Sequence, residues 1–191
     1  MNTLYTPVST LYEVKQSKFF ANLVPYSDFE ATLERLKTEH PKARHFVTAY
    51  RYLNDHAQIV EGSSDDGEPK GTSGKPSLAV LAGNDLIDVA AITVRYFGGT
   101  KLGTGGLVRA YTQAISDAVS LAEIVPYVFR KSATFESDYG DVNRVEYELK
   151  QAHITHVEKS YETEKVVWKI DASEKAVEQF FSAIGRHVRK V

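Results

Sequence analysis

Apolar residues recur along this chain with two periods, and the switches between them outline its elements. In the last third, residues 127–135 read as a strand. Residues 139–152 read as a helix with Val142, Val145 and Leu149 on one face. Two strands follow, over residues 154–161 and 165–170; in the second, Val166, Trp168 and Ile170 face one way while Val167 and Lys169 face the other. A final helix starts at Ser173, a good N-cap, and repeats Val177, Phe180, Phe181 and Ile184 at helical spacing. The order β-α-β-β-α is that of a ferredoxin-like domain whose last strand is absent or hidden.

The first two thirds are also α+β. Strands are predicted over residues 4–14 and 18–24. A helix from Ser27 follows, with Ser27 and Glu30 as a capping box and Phe29, Leu33 and Leu36 buried. Pro41 stops it. Residues 45–52 alternate as a strand, residues 61–76 form a long loop, and a short helix spans residues 77–86. Residues 89–97 are rich in Val, Ile and aromatics and read as a strand buried on both faces. A glycine-rich connector, residues 98–106, leads into the longest helix, residues 107–124. Leu107, Tyr111, Ala114 or Ile115, Ala118 and Ala122 lie along its buried stripe, and Arg109 on the opposite face. Pro126 divides the chain into domains of residues 1–125 and 126–191, with no internal repeat.

Composition narrows the classes. The chain has 191 residues, 42% hydrophobic and 25% charged, which is globular. It has no Cys, so thiolate zinc sites, disulfides and cysteine nucleophiles are excluded. No apolar run approaches the ~20 residues of a membrane span, and residues 1–12 lack the pattern of a signal peptide. A cytoplasmic protein without membrane contact is expected. The net charge of −2 excludes a protein coated in positive charge, but a local cationic site depends on clustering.

Two segments carry candidate chemistry. Residues 61–76 hold four Gly, two Pro and the carboxylates Asp65, Asp66 and Glu68. They form either a solvated turn or a loop held in conformations that glycine permits, and the carboxylates could take a hard cation such as magnesium. Gly74-Lys75-Pro76 is not a Walker A loop, because Pro69 and Pro76 occupy required Gly and Ser/Thr positions. Residues 95–111 hold five Gly and three cations, Arg95, Lys101 and Arg109, and no acid. There a strand ends, glycines expose backbone N–H groups, and a helix begins with Thr104 as N-cap. This arrangement either favours an anion or merely permits close packing. The anion reading assigns Arg95, Lys101, Gly103, Thr104, Gly105, Gly106 and Arg109, with Tyr96, Phe97 and Tyr111 placed to stack on bases. His45 reads as a core histidine or as a partner of Asp65 or Asp66. His153 and His156 point to opposite faces and make a poor metal pair.

These segments, together with Ala43-Arg44-His45-Phe46-Val47-Thr48-Ala49-Tyr50-Arg51, carry a resemblance. The strings Ser64-Asp65-Asp66-Gly67-Glu68-Pro69, Gly71-Thr72-Ser73-Gly74-Lys75-Pro76 and the whole of residues 95–111 resemble the YigZ/IMPACT family. The length and two-part layout suit its bacterial branch. The resemblance implies an amino-terminal domain of the type of the second domain of ribosomal protein S5 and a ferredoxin-like carboxy-terminal domain. Together these are similar to adjacent domains IV and V of elongation factor G. For eukaryotic relatives it implies translational control through protein partners, and it supplies no catalytic residues.

Three functions are therefore expected, in this order. The first is a translation-associated regulatory protein binding RNA or the ribosome through the basic glycine segment. The second is a module that binds a regulatory protein through Ser64, Asp65, Asp66, Glu68 and Lys75. The third is a magnesium-dependent enzyme or binder of a phosphorylated or nucleotide ligand. No catalytic residue, resident cofactor or metal-ligand set is assigned, and an enzyme is the less favoured class.

Overall fold

The computed structural model describes residues 1–54 and 56–191. The chain divides into two compact units, Met1–Tyr127 and Val128–Val191. The first contains β1 (Asn2–Thr3), β2 (Val8–Val14), β3 (Ser17–Pro25), α1 (Phe29–Glu39), β4 (His45–Leu53), β5 (Ile59–Ser64), α2 (Gly74–Gly83), β6 (Val89–Tyr96), α3 (Gly103–Leu121) and β7 (Val125–Pro126).

Five of these strands form one antiparallel sheet in the order β2-β3-β6-β4-β5. The strand β6 sits at its centre, which is why its sequence is apolar at nearly every position. Val89 and Ala91 join the core shared with α2 and α3, while Ala90, Ile92 and Val94 join the core under α1. The sheet is thus covered by α2 and α3 on one face and α1 on the other. Separately, β1 pairs with β7, tying the start of the chain to the segment after α3.

Several boundaries differ from the sequence reading, for identifiable reasons. The strand expected over residues 4–14 starts only at Val8, just after Pro7, which has no N–H to give a ladder, and the two-residue β1 lies before the expected span. Residues 59–64 all pair with β4, so the long loop shrinks to residues 65–73. The helix α2 starts at Gly74 and carries Pro76 in its first turn, where a missing N–H costs nothing. The capping box at Ser27 and Glu30 does not form. Tyr26–Asp28 is a 3-10 turn, and the Ser27 hydroxyl donates to Asp28 Oδ1 at 3.0 Å. Likewise Thr104 is not the N-cap of α3; Leu102 holds that position, and the glycines form the first helical turn.

The second unit contains β8 (Arg130–Ser137), α4 (Val142–Gln151), β9 (His156–Tyr161), β10 (Val166–Ser173), α5 (Glu174–Ile184) and β11 (Val188–Lys190). All pairings are antiparallel, in the order β11-β8-β10-β9. The strand missing from the sequence reading is β11, three residues after a turn at Gly185 with φ 54°. Phe135, Trp168 and Phe180 fill the core between the sheet and α4 and α5. Ser173 caps α5, its hydroxyl accepting from Ala176 N at 3.3 Å.

Candidate functional site

The alternation of β6 turns Arg95 toward α2 and α3, where the side chain is 7% exposed and ion-paired with Glu68, itself 3% exposed. The Tyr111 hydroxyl of α3 donates to Glu68 Oε1 at 2.9 Å, and the guanidinium lies 5.4 Å from the Phe19 ring centroid. Burial, with the Glu68 carboxylate beside it, pushes the Tyr111 phenol far above its ordinary range. Arg95 therefore joins the two motif segments from inside and is not a surface anion contact, as its place in the basic segment suggested. Tyr111 is fully buried and cannot stack on a base. Tyr96, half-buried and hydrogen-bonded to His40 Nδ1 at 3.0 Å, is also engaged; Phe97 is exposed.

The acidic loop is turned inward as well. Asp65 accepts hydrogen bonds from Gly71 N at 2.7 Å, Ser73 N at 3.1 Å, Ser73 Oγ at 2.6 Å and Gly74 N at 2.8 Å. It caps the start of α2 from a distance. Partial burial pushes its carboxyl up, but the Gly71, Ser73 and Gly74 donors outweigh that and hold it at about 2. Asp66 accepts from Phe46 N at 2.6 Å, and its carbonyl lies 2.8 Å from His45 Nδ1. The three carboxylates face three different sets of protein donors, so they form neither a magnesium cage nor a continuous acidic contact surface. Ser64 and Lys75 remain exposed, with Ser64 Oγ accepting from Asp66 N at 3.2 Å. Among the described residues, no cluster of three or more His, Asp and Glu side chains is placed to hold a metal ion.

The beginning of α3 is different. Gly98 packs directly on the β2–β3 turn, donating its N–H to Ser17 Oγ at 3.0 Å; a β-carbon there would lie 2.0 Å from the Gln16 carbonyl carbon. That turn is Lys15-Gln16, both at positive φ, which matches the strand twist of a two-residue hairpin. Among the described residues, no side chain caps α3, and Gly103, Thr104 and Gly105 are exposed. Its first-turn N–H groups thus meet solvent, with the positive end of the helix dipole behind them. Arg109 leans back over this turn, as helical side chains do; a β-carbon on Gly105 would lie 3.8 Å from Arg109 Nη1. Lys101 is exposed beside it.

A groove of about 430 Å³ runs alongside, with Tyr12, Val14, Leu102 and Val108 as its apolar wall and Lys15 and Arg109 as its cations. Among the described residues, none of Lys15, Lys101 and Arg109 has an ion-pair partner. The structure thus places Arg109 at the glycine turn and Lys15 on the same groove, takes Arg95 into the interior, and leaves Lys101 exposed two residues before Gly103. Sequence reasoning missed Lys15 because the docking of a hairpin tip on Gly98 is a long-range contact.

The Impact N-terminal domain family model matches residues 15–119. An IMPACT family member of Haemophilus influenzae is 35% identical over 175 residues, covering 90% of this chain and 84% of that protein. The IMPACT family member YigZ of Escherichia coli is 44% identical over 117 residues, covering 59% and 57%. A crystal structure described only as that of a hypothetical protein superposes with a TM-score of 0.72 at 30% identity, covering 100% of this chain and 95% of that one.

Proposed function

The chain belongs to the IMPACT family, and from that premise we propose that it is a translation-associated regulatory protein that binds RNA, free or on the ribosome, at the open start of α3. The observation that carries this reading is the glycine turn that is uncapped among the described residues, with Arg109 leaning over it and the exposed Lys101 and Lys15 near it in chain and groove. Exposed amides and a helix dipole favour a phosphate, and Lys15, Lys101 and Arg109 supply the charge that neutralises its neighbours. The groove beside Tyr12 gives an unstacked base an apolar surface, and exposed Phe97 offers a second. The likeness of the two units to ribosomal protein S5 and elongation factor G domains, implied by the family resemblance, supports the same direction.

The test is co-sedimentation of the folded protein with RNA and ribosomes. Both Lys101 and Arg109 are exposed, so the Lys101→Ala/Arg109→Ala variant keeps its circular dichroism and melting profile. Binding is expected to be lost. Retention of binding by that folded variant overturns the reading.

A further inference from the structure

The second unit holds a cavity of about 400 Å³ beside its edge strand, between α4 and β9. Its floor is apolar: Leu149, Ile154 and Trp168 are buried, and Val157 is partly so. Its rim carries Lys150 and Lys159 against a single carboxylate, Glu146. The chain leaves α4 through His153 in the left-handed conformation, φ 54°, and His153 itself lines the cavity. Lys159 Nζ sits 2.6 Å from Glu146 Oε1 and 5.7 Å from the Trp168 ring centroid, so an ammonium stands over an aromatic floor. That ion pair is solvent-exposed and weak by nature, so a competing carboxylate displaces it at little cost. Lys150 has no ion-pair partner among the described residues.

We propose that this cavity binds a small monocarboxylate with an aromatic or apolar body. The volume lies within the range of small-molecule sites, and the lining has their usual form, an apolar floor with a few charged groups that fix orientation. The ring rests on Leu149, Ile154 and Trp168, and the carboxylate takes the surplus positive charge at Lys150 and Lys159. This inference uses no residue of the α3 site and stands apart from the RNA reading.

Trp168 is the only tryptophan in the chain and lines this cavity, so its fluorescence is a probe of binding there. The full-length protein is titrated with 3-phenylpropanoate and, in parallel, with the uncharged 3-phenylpropanamide. A saturable emission change is expected for the acid, with a Kd of about 1 mM or tighter, and affinity about tenfold weaker for the amide, which lacks the charge-assisted bond. Lys150→Met should reduce the acid to the affinity of the amide while leaving the amide unchanged. Thr155→Phe, at an exposed position on the lining, should fill the space and remove both. Equal affinities for acid and amide, no saturable change with either, or undiminished binding in a folded Thr155→Phe variant would each overturn the proposal.

Discussion

At the scale of single residues, the buried Glu68–Arg95–Tyr111 set decides how the two motif segments behave. An ion pair that is fully desolvated is costly to break, because removing one partner strands the other charge. Arg95→Met should therefore destabilise the first unit by about 3 kcal/mol, read as a lowered urea midpoint. Adding Glu68→Gln removes the stranded charge while keeping an acceptor for Tyr111, so the double variant should recover much of that loss. Additive losses would show that the pair is not coupled. Asp65 gives a second, pH-dependent prediction. Its folded value of about 2 lies below its ordinary 3.8, so its stabilisation is complete above the unfolded value and is lost as pH falls through the folded one. Asp65→Asn should cost about 2 kcal/mol at neutral pH, and the difference from the native chain should shrink toward zero near pH 2. A gap independent of pH would mean that the charge on Asp65 is not what caps α2.

At the scale of elements, periodicity was enough for the long helices and the buried strand, because their apolar faces are continuous. The β6 run and the α3 stripe are legible for that reason, and Trp168 faces inward as its alternation requires. The short pieces were not legible. The strands β1, β7 and β11 have two or three residues each, too few to show a period, and they exist through pairing with distant partners. The candidate site was half legible. Its glycines and exposed cations stand together in sequence, but the burial of Arg95 follows from a phase, the face of β6 it falls on, set by packing across the sheet. The starts of α2 and α3 make an instructive pair. Both are glycine-rich, yet Asp65 occupies the amides of one while, among the described residues, no side chain caps the other. A carboxylate placed in the open turn should be tolerated by the fold, since acids favour a helix start by about 0.3–1 kcal/mol. Thr104→Glu is thus expected to leave the melting temperature unchanged or slightly raised while abolishing RNA binding. A variant that binds RNA normally would place the contact elsewhere.

At the scale of the whole molecule, the charge balance restricts how RNA would be held under the proposed function. A net charge of −2 gives no general attraction to a polyanion, so binding must come from the few cations around α3. Three contacts from Lys15, Lys101 and Arg109 predict a shallow salt dependence, with log K falling against log salt at a slope of about −2, from roughly −0.7 per contact on a single strand. Between 50 and 200 mM salt the native chain should therefore lose about 20-fold in affinity. Lys15→Ala alone, at an exposed hairpin tip, should flatten the slope to about −1.4 without touching the motif segments. Filter binding across a salt series measures both. A native slope near −5 would require more phosphate contacts than this site can provide, and the remaining cations would have to come from a different surface. A slope near zero would mean that the ligand of the α3 turn is not a polyanion, because counterion release is unavoidable when phosphates are neutralised by lysine and arginine.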